Sequence, residues 1–190
     1  SLTSNVGGAY EAGRIDNYWT SFTANNTTWL VLTLEFAPRK AVVEWARNVV
    51  ATHPDDNVII QTHYYLDSNA TISTSNAGYG DTSGKYIYDQ IVSKYSNVKI
   101  VVSGHVGSYT SRTDTNNGNT VVSYLGDDLG AGNNPVRILT INTTTGTINS
   151  WAPVGDTGGY VFTMVAAPEK SRIIAGGSFA VGVAYVSKFY

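Results

Sequence analysis

Cysteine is absent from the sequence, and this absence excludes several kinds of site. Disulfide scaffolds, thiolate zinc sites and cysteine nucleophiles each require a thiol. Any metal in this protein would therefore be bound by His, Asp, Glu or Asn side chains.

Charge is also scarce. Charged residues make up 14% of the chain and the formal net charge is −2, so no basic surface is expected to attract nucleic acid or anionic lipid. Long apolar runs are missing too, since no stretch approaches the about 20 consecutive apolar residues that a membrane-spanning helix requires. We therefore expect no nucleic-acid partner and no membrane insertion.

The chain does contain enough apolar material for a globular core. Hydrophobic residues make up 42% of its 190 residues, a length that suits one domain, or one domain with part of a second. The polar residues are mostly Thr, Ser, Asn and Gly, accompanied by 13 tyrosines. This composition is more typical of extracellular microbial proteins than of highly charged cytosolic enzymes, and it predicts an extracellular or cell-surface location.

Apolar runs of strand length alternate with helical periodicity in the first hundred residues. The run WLVLTLEF at residues 29–36 is typical of a strand that is covered on both faces. A helix, a strand, a second helix and a third strand follow at residues 38–52, 58–62, 85–95 and 98–102. This order predicts a parallel sheet with right-handed crossovers.

The pattern changes after residue 108. Short apolar runs at residues 121–125, 136–141 and 147–151 are separated by segments rich in Gly, Asn and Thr, which predicts an antiparallel meander. The expected fold class is therefore α/β (α+β), with a parallel or mixed sheet followed by an antiparallel meander.

Two histidines occupy matching positions at the ends of predicted strands. His63 follows the strand at residues 58–62, and His105 follows the strand at residues 98–102. Because the ligand crevice of an open parallel sheet lies outside the carboxyl ends of its strands, histidines at these positions can converge. Imidazole is the commonest side-chain metal ligand, so we predict that both bind a metal. The alternative is that each histidine hydrogen-bonds its own loop.

Three residues near His105 are candidates for supporting this site. Gly104 and Gly107 would let the backbone turn sharply and approach a metal closely. Asp114 is the first carboxylate that follows His105 in the sequence, so it is a candidate hydrogen-bond partner for a metal-binding histidine.

Other candidates are weaker. His53 lies in a turn after the first predicted helix and is expected to be a surface residue. Asp127 and Asp128 are adjacent in a glycine-rich turn, where carboxylates usually cap or solvate the turn. The sequence also lacks a nucleophile elbow, a phosphate-binding loop, a dinucleotide-binding glycine motif and a His-Glu-x-x-His motif. Covalent serine catalysis and nucleotide binding are therefore unsupported.

Three segments together resemble the carboxyl-terminal half of a secreted bacterial calcineurin-like metallophosphoesterase. The resemblance covers approximately residues 8–154, and its segments are WLVLTLEFAPRKAVVEWARNVVATHPDDNVIIQTHYYL, YDQIVSKYSNVKIVVSGHVGSYTSRTD and NPVRILTINTTTGTINSWAPV. It implies half of a four-layer αββα metallophosphoesterase sandwich. It also implies two divalent transition metals (Fe, Mn or Zn) that activate a bridging hydroxide for in-line attack on a phosphoester substrate. His63 and His105 would then bind the second metal.

The chain departs from that family in two respects. The opening motifs Asp-x-His, Gly-Asp-x-x-Asp and Gly-Asn-His-Asp/Glu occur nowhere in it. Gly107 also stands where the second histidine of the family's Gly-His-x-His motif would bind the first metal. We therefore expect the missing amino-terminal half to leave an open apolar face around residues 29–34.

The tail has a different resemblance. Residues 159–179 are similar to one repeat of the delta-60 type, and a single repeat cannot bury its own apolar face. We therefore expect a fragment of a longer modular protein, with residues 1–154 as the phosphoesterase part and residues 155–190 as an incomplete repeat module.

Three functions stay open at this point. The first is metal-dependent phosphoester hydrolysis in a full-length parent, with this chain alone inactive and completed by the missing amino-terminal half or further repeats. The second is a non-catalytic extracellular module for adhesion, assembly or display. The third is an oligomer in which exchanged segments complete sites between chains.

Overall fold

The computed structural model describes residues 6–24, 26–127, 135–141, 148–156, 160–167 and 172–178, with side-chain detail for residues 6–24 and 26–126. The strands of the first sheet are β1 (Val6–Ala9), β2 (Tyr18–Ala24), β3 (Thr27–Thr33), β4 (Asn57–Gln61), β5 (Val98–Ser103), β6 (Ser108–Asn116) and β7 (Asn119–Asp127). The strands of the second sheet are β8 (Pro135–Ile141), β9 (Ile148–Asp156), β10 (Tyr160–Ala167) and β11 (Arg172–Ser178).

Four central strands of the first sheet run parallel. The strand order is β1-β2-β3-β4-β5-β7-β6; β3, β4, β5 and β7 are parallel, while β1, β2 and β6 pair antiparallel at the two sides. The α+β class and the mixed sheet predicted from the sequence are therefore confirmed. We call the edge where the parallel strands end the carboxyl edge, and the edge where they begin the amino edge.

Helix α1 (Lys40–Thr52) connects β3 to β4. Its apolar residues recur every three or four positions and pack on the sheet; the buried ones are Val42, Val43, Ala46, Val49 and Val50. The sequence predicted a helix from residue 38, but it begins after Pro38 and Arg39. The amide of Lys40 donates to the Asp81 carboxylate at 2.9 Å. A residue of a distant loop therefore accepts a hydrogen bond from an amide of the first turn that has no partner within the helix.

The second helix is shorter than predicted, and part of it is a π-helix. Helix α2 (Gly84–Ile87) is capped by Ser83, whose hydroxyl accepts a hydrogen bond from the amide of Tyr86. The helix continues into a π-helical segment (Tyr88–Val92). A Cβ on Gly84 would lie 2.4 Å from the carbonyl oxygen of Tyr65, so the helix start packs directly on the backbone that follows β4.

The apolar face expected to be open is closed. Trp29 and Leu34 are 1% and 3% exposed, and Leu30 and Leu32 are fully buried, so the expectation of an exposed apolar face at residues 29–34 is wrong. The physical reason is that β2 and β4 pair with both sides of β3, and the helices cover the face that carries Leu30 and Leu32. The opposite face, with Trp29, is buried as well.

The region after residue 108 differs from the predicted meander at its start. Strand β7 pairs parallel with β5 and extends the first sheet, and polar strand β6 forms a hairpin with it. Strands β8 to β11 form an antiparallel sheet in the order β10-β11-β8-β9. Strand β9 runs through position 154 and β11 pairs with β8, so strands from both predicted domains share this sheet.

No helix among the described residues is long and apolar enough to span a bilayer.

Candidate metal-binding site

Backbone hydrogen bonds continue past the ends of β3, β4 and β5. The amide of Leu34 donates to the carbonyl of Gln61 at 2.9 Å, and the amide of Gly104 donates to the carbonyl of His63 at 2.9 Å. The three chain segments that leave the carboxyl edge therefore start from fixed relative positions.

The two histidines predicted to converge lie next to each other at this edge. The ring centroids of His63 and His105 are 5.2 Å apart, and the rings are inclined by 65°. Phe36, which follows β3, contacts both rings at centroid distances of 5.5 Å from His63 and 5.0 Å from His105. Residues from three adjacent parallel strands thus form one cluster.

The spacing of the two imidazoles fits a shared ion. With a metal–nitrogen bond of about 2.1 Å and roughly 1.1 Å from that nitrogen to the ring centre, two imidazoles on one tetrahedral ion would have centroids about 5 Å apart. The separation between His63 and His105 agrees with that value. Within residues 6–24 and 26–126, however, no group of three or more His, Asp or Glu side chains is close enough to hold a metal.

The unusual backbone at this edge belongs to the histidine and not to its glycine neighbours. His105 has a φ of 75°, whereas neither Gly104 nor Gly107 has a positive φ. Left-handed backbone is unfavourable for a residue with a Cβ and persists where surrounding contacts enforce it. Gly107 is exposed, and a Cβ built on it meets nothing within 4 Å.

Asp114 is not brought to the histidines. It lies opposite Val121 in β7, and the next residue, Val122, pairs with Ile100 of β5. Its backbone is thus level with Lys99, about 13 Å before the end of β5 at Ser103 and farther still from His105, at about 3.3 Å per residue. Its carboxylate accepts from Nε of Arg112 at 2.9 and 2.8 Å, so it forms an ion pair toward the amino edge.

His53 and the paired aspartates also lie apart from the cluster or outside the described side chains. The ring of His53 contacts Trp19 at 4.7 Å, and its Nδ1 lies 2.7 Å from the carbonyl oxygen of Val49. His53 is therefore half-buried against α1 near the amino edge. The backbone of Asp127 ends β7 at the carboxyl edge, its side chain lies outside the described residues, and so does Asp128.

An aromatic column beside the histidines was not predicted from the sequence. Its three rings are nearly parallel: Tyr64 and Phe36 are 6.3 Å apart at 13°, and Phe36 and Tyr79 are 5.0 Å apart at 15°. Tyr64 also contacts the ring of His105 at 4.6 Å. The signal available in the sequence was an aromatic residue three positions after the last residue of each of two strands, Phe36 after β3 and Tyr64 after β4.

Tyr64 is buried and held by Asp67. Its hydroxyl donates to the Asp67 carboxylate at 2.7 Å. Burial first, and then the neighbouring Asp67, raise the pKa of Tyr64, while a hydrogen bond with Ser73 lowers it in part. The phenol of Tyr64 therefore stays protonated at neutral pH and serves to position the ring against His105.

Glu35 anchors the segment that carries Phe36. Its carboxylate accepts from the amide of Arg39 at 3.0 Å, from Nε of Arg39 at 2.9 Å and from Nδ2 of Asn17 at 2.9 Å. Burial alone would raise the pKa of Glu35, but these hydrogen bonds outweigh it and lower the pKa. A carboxylate engaged in this way positions the loop and is not available as a metal ligand.

Comparison with known proteins adds no relative to this geometry. No family model matches the chain, and no curated protein matches it. The resemblance to calcineurin-like metallophosphoesterases rests on the sequence segments quoted above.

Proposed function

We propose that the carboxyl edge is part of a metal-dependent phosphoester hydrolase site in which His63 and His105 bind one divalent transition ion, Fe, Mn or Zn. The observation that supports this proposal best is the 5.2 Å separation of the two imidazoles at the ends of adjacent parallel strands. The sequence resemblance points to the same two residues and to the same reaction.

The chain's own residues would orient the ligands. His63 and His105 would bind through neutral ring nitrogens, and the hydrogen bond from the amide of Gly104 to the carbonyl of His63 fixes one strand end against the other. Phe36 packs against both rings and would shield one side of the pair from water. A divalent ion bound there would supply a Lewis acid and a water of lowered pKa.

The second metal ion and the complete four-layer fold of the proposal cannot be formed by this chain alone. A dinuclear centre and a four-layer sandwich would require ligands and strands from outside this chain, supplied by an amino-terminal half like that of the resembling family, by further repeats or by a second copy. We accordingly propose that the chain alone does not hydrolyse phosphoesters. An extracellular or cell-surface location belongs to the same proposal.

Metal titration tests the site without relying on activity. Calorimetric titration of Zn²⁺ or Mn²⁺ into metal-free protein should give one ion per chain, and His63→Ala or His105→Ala should weaken binding at least tenfold. His53→Ala is the matched control and should bind as the wild type does. Equal affinity in all three variants would contradict the assignment of the ligands.

An activity assay tests the proposal from another side. Turnover of an aryl phosphate by the unaltered chain alone would contradict the proposal that further ligands come from outside it.

A non-catalytic extracellular module is the second candidate function. Gly107 favours it, because a glycine cannot supply the ligand that a histidine supplies in the resembling family. This candidate predicts no metal-dependent hydrolysis even when an amino-terminal half of the resembling family or further repeats are added.

A further inference from the structure

We infer that the outer face of Tyr79 is a stacking surface for an aromatic ring carried by the phosphoester substrate. This inference rests on the proposed function and names its substrate class: an ester of a nucleoside alcohol. Neither the sequence motifs nor the resemblance assigns any role to Tyr79.

Tyr79 is the exposed end of the aromatic column. It is 75% exposed, the most exposed large apolar side chain among residues 6–24 and 26–126, whereas Tyr64 at the other end is 8% exposed. Since Phe36 covers one face of Tyr79 at 5.0 Å and 15°, the opposite face points away from the column. A planar ring placed there would continue the same parallel stacking, a geometry that aromatic rings favour.

The loop that carries Tyr79 is held in place at several points. The Asn76 side chain accepts from the amide of Gly78 at 3.0 Å and donates to the carbonyl of Gly80 at 2.7 Å. A Cβ on Gly80 would lie 2.1 Å from the Cβ of Ala37, so the loop packs tightly on the turn that follows Phe36. A ring held this way loses little conformational freedom when a ligand binds.

Backbone strain surrounds the same cluster. Among the described residues, six non-glycine residues have a positive φ, and three of them are Ala37 (39°), Ala77 (58°) and His105 (75°). Ala37 follows Phe36, and Ala77 lies two residues before Tyr79. Strained backbone is concentrated at ligand-binding sites, where the gain in preorganisation offsets its cost.

The distances relate the ring position to the metal position. Tyr79 and His105 each lie 5.0 Å from Phe36, so their centroids are no more than twice that distance apart. A ring stacked on the outer face of Tyr79 would lie about 4.5 Å farther out. A phosphoryl group at the histidines and a ring on Tyr79 can thus belong to one small molecule when a sugar separates them, as in a nucleoside ester. Phe36 contacts all three rings and sets both positions.

The column consists of uncharged rings. The only groups that form it are the rings of Tyr64, Phe36 and Tyr79, and no charged side chain among the described residues makes a cation–π contact with them. We therefore expect the affinity for the ester to increase with the stacking area of the ring in its leaving group.

Non-hydrolysable ligands test the inference. Binding of a nucleoside phosphonate and of methylphosphonate is measured by calorimetry on the Zn²⁺-loaded chain, and the wild type should prefer the nucleoside phosphonate about tenfold, in the range given by stacking of a base on aromatic side chains. Tyr79→Ala should remove this preference and Tyr79→Phe should keep it. Ile15→Ala, at a residue that is 62% exposed, is the control for truncating an exposed apolar side chain.

The outcomes separate this inference from the proposed function. An unchanged preference in Tyr79→Ala, or no preference in the wild type, overturns the stacking surface even when His63→Ala and His105→Ala abolish binding of both phosphonates. If the histidine variants bind both phosphonates normally, the proposed function fails. In that case, binding of the free nucleoside that is lost in Tyr79→Ala still supports the stacking surface, and nucleoside binding that persists overturns it.

Discussion

Histidine occurs at both edges of the parallel sheet, but its hydrogen bonds, ring contacts and backbone conformation differ between them. At the amino edge, the carbonyl of His53 accepts from Nδ2 of Asn97 at 2.8 Å, the same amide group donates to Val50, and the ring of His53 packs on Trp19. At the carboxyl edge, the ring of His105 lies among three aromatic rings on a left-handed backbone. Hydrogen bonds and ring packing therefore stabilise the amino edge. At the carboxyl edge, an unfavourable backbone conformation of His105 accompanies the clustering of the side chains.

Breaking the amino edge should have the largest effect on stability. Asn97→Ala removes two hydrogen bonds, to the carbonyls of Val50 and His53, each worth about 1 kcal/mol, so we expect a loss of about 2 kcal/mol in the free energy of unfolding although both carbonyls keep a backbone donor. Metal affinity should not change, since Asn97 lies at the far end of β5. Urea unfolding measures the first quantity and calorimetry the second. Asn48→Ala, on the exposed side of α1, is the control and should change stability by less than about 0.5 kcal/mol; a comparable loss there would contradict the comparison.

The backbone strain at the carboxyl edge should appear as a difference in stability between a glycine and an alanine variant of His105. His105→Gly should be more stable than His105→Ala by about 1 kcal/mol, because glycine accepts a φ of 75° and alanine does not. At His63, which has no positive φ, the order should reverse, with His63→Ala the more stable variant. Thermal unfolding of the four variants checks both signs. The same order at both positions would show that backbone strain is not the difference between the edges.

The smallest effect concerns the anchor of Phe36. Because the folded-state pKa of Glu35 is lowered, its contribution to stability is present above about pH 4.3, the ordinary value for glutamate, and is lost as the pH falls through the folded-state pKa. Glu35→Gln should therefore flatten the decline of unfolding free energy below about pH 4.3. Glu44→Gln, with a side chain 68% exposed, should leave that decline unchanged. Urea unfolding between pH 3 and 6 makes the comparison, and parallel curves for Glu35→Gln and the wild type would contradict it.

The sequence predicted the first sheet best where apolar pattern and burial coincide. Strands β4 and β5 and helix α1 lie within two residues of the predicted ranges, because continuous apolar runs and four-residue spacing report directly on a covered strand and a covered helix face. Strand β6 was missed because its residues are polar on both faces of a sheet edge. Its pairing partner, and not its own pattern, makes it a strand.

For the candidate site, the sequence located two ligand candidates but not their surroundings. His63 and His105 could be placed because parallel strands deliver their ends to one edge. Tyr79 could not, because it lies in the long loop between β4 and α2, where no periodicity links it to Phe36. Asp114 was close to His105 in the sequence, yet a strand carries it away at about 3.3 Å per residue. Proximity along the chain is a poor guide once a strand begins.

The left-handed backbone at His105 also restricts which residues can replace it. Glycine, asparagine and aspartate accept that conformation most readily, and two of these carry oxygen donors. A single substitution could therefore exchange a nitrogen ligand for an oxygen ligand while the main chain stays where it is. Oxygen donors suit harder ions such as Mn²⁺ and Mg²⁺, so this position gives the fold a short mutational route from one metal preference to another.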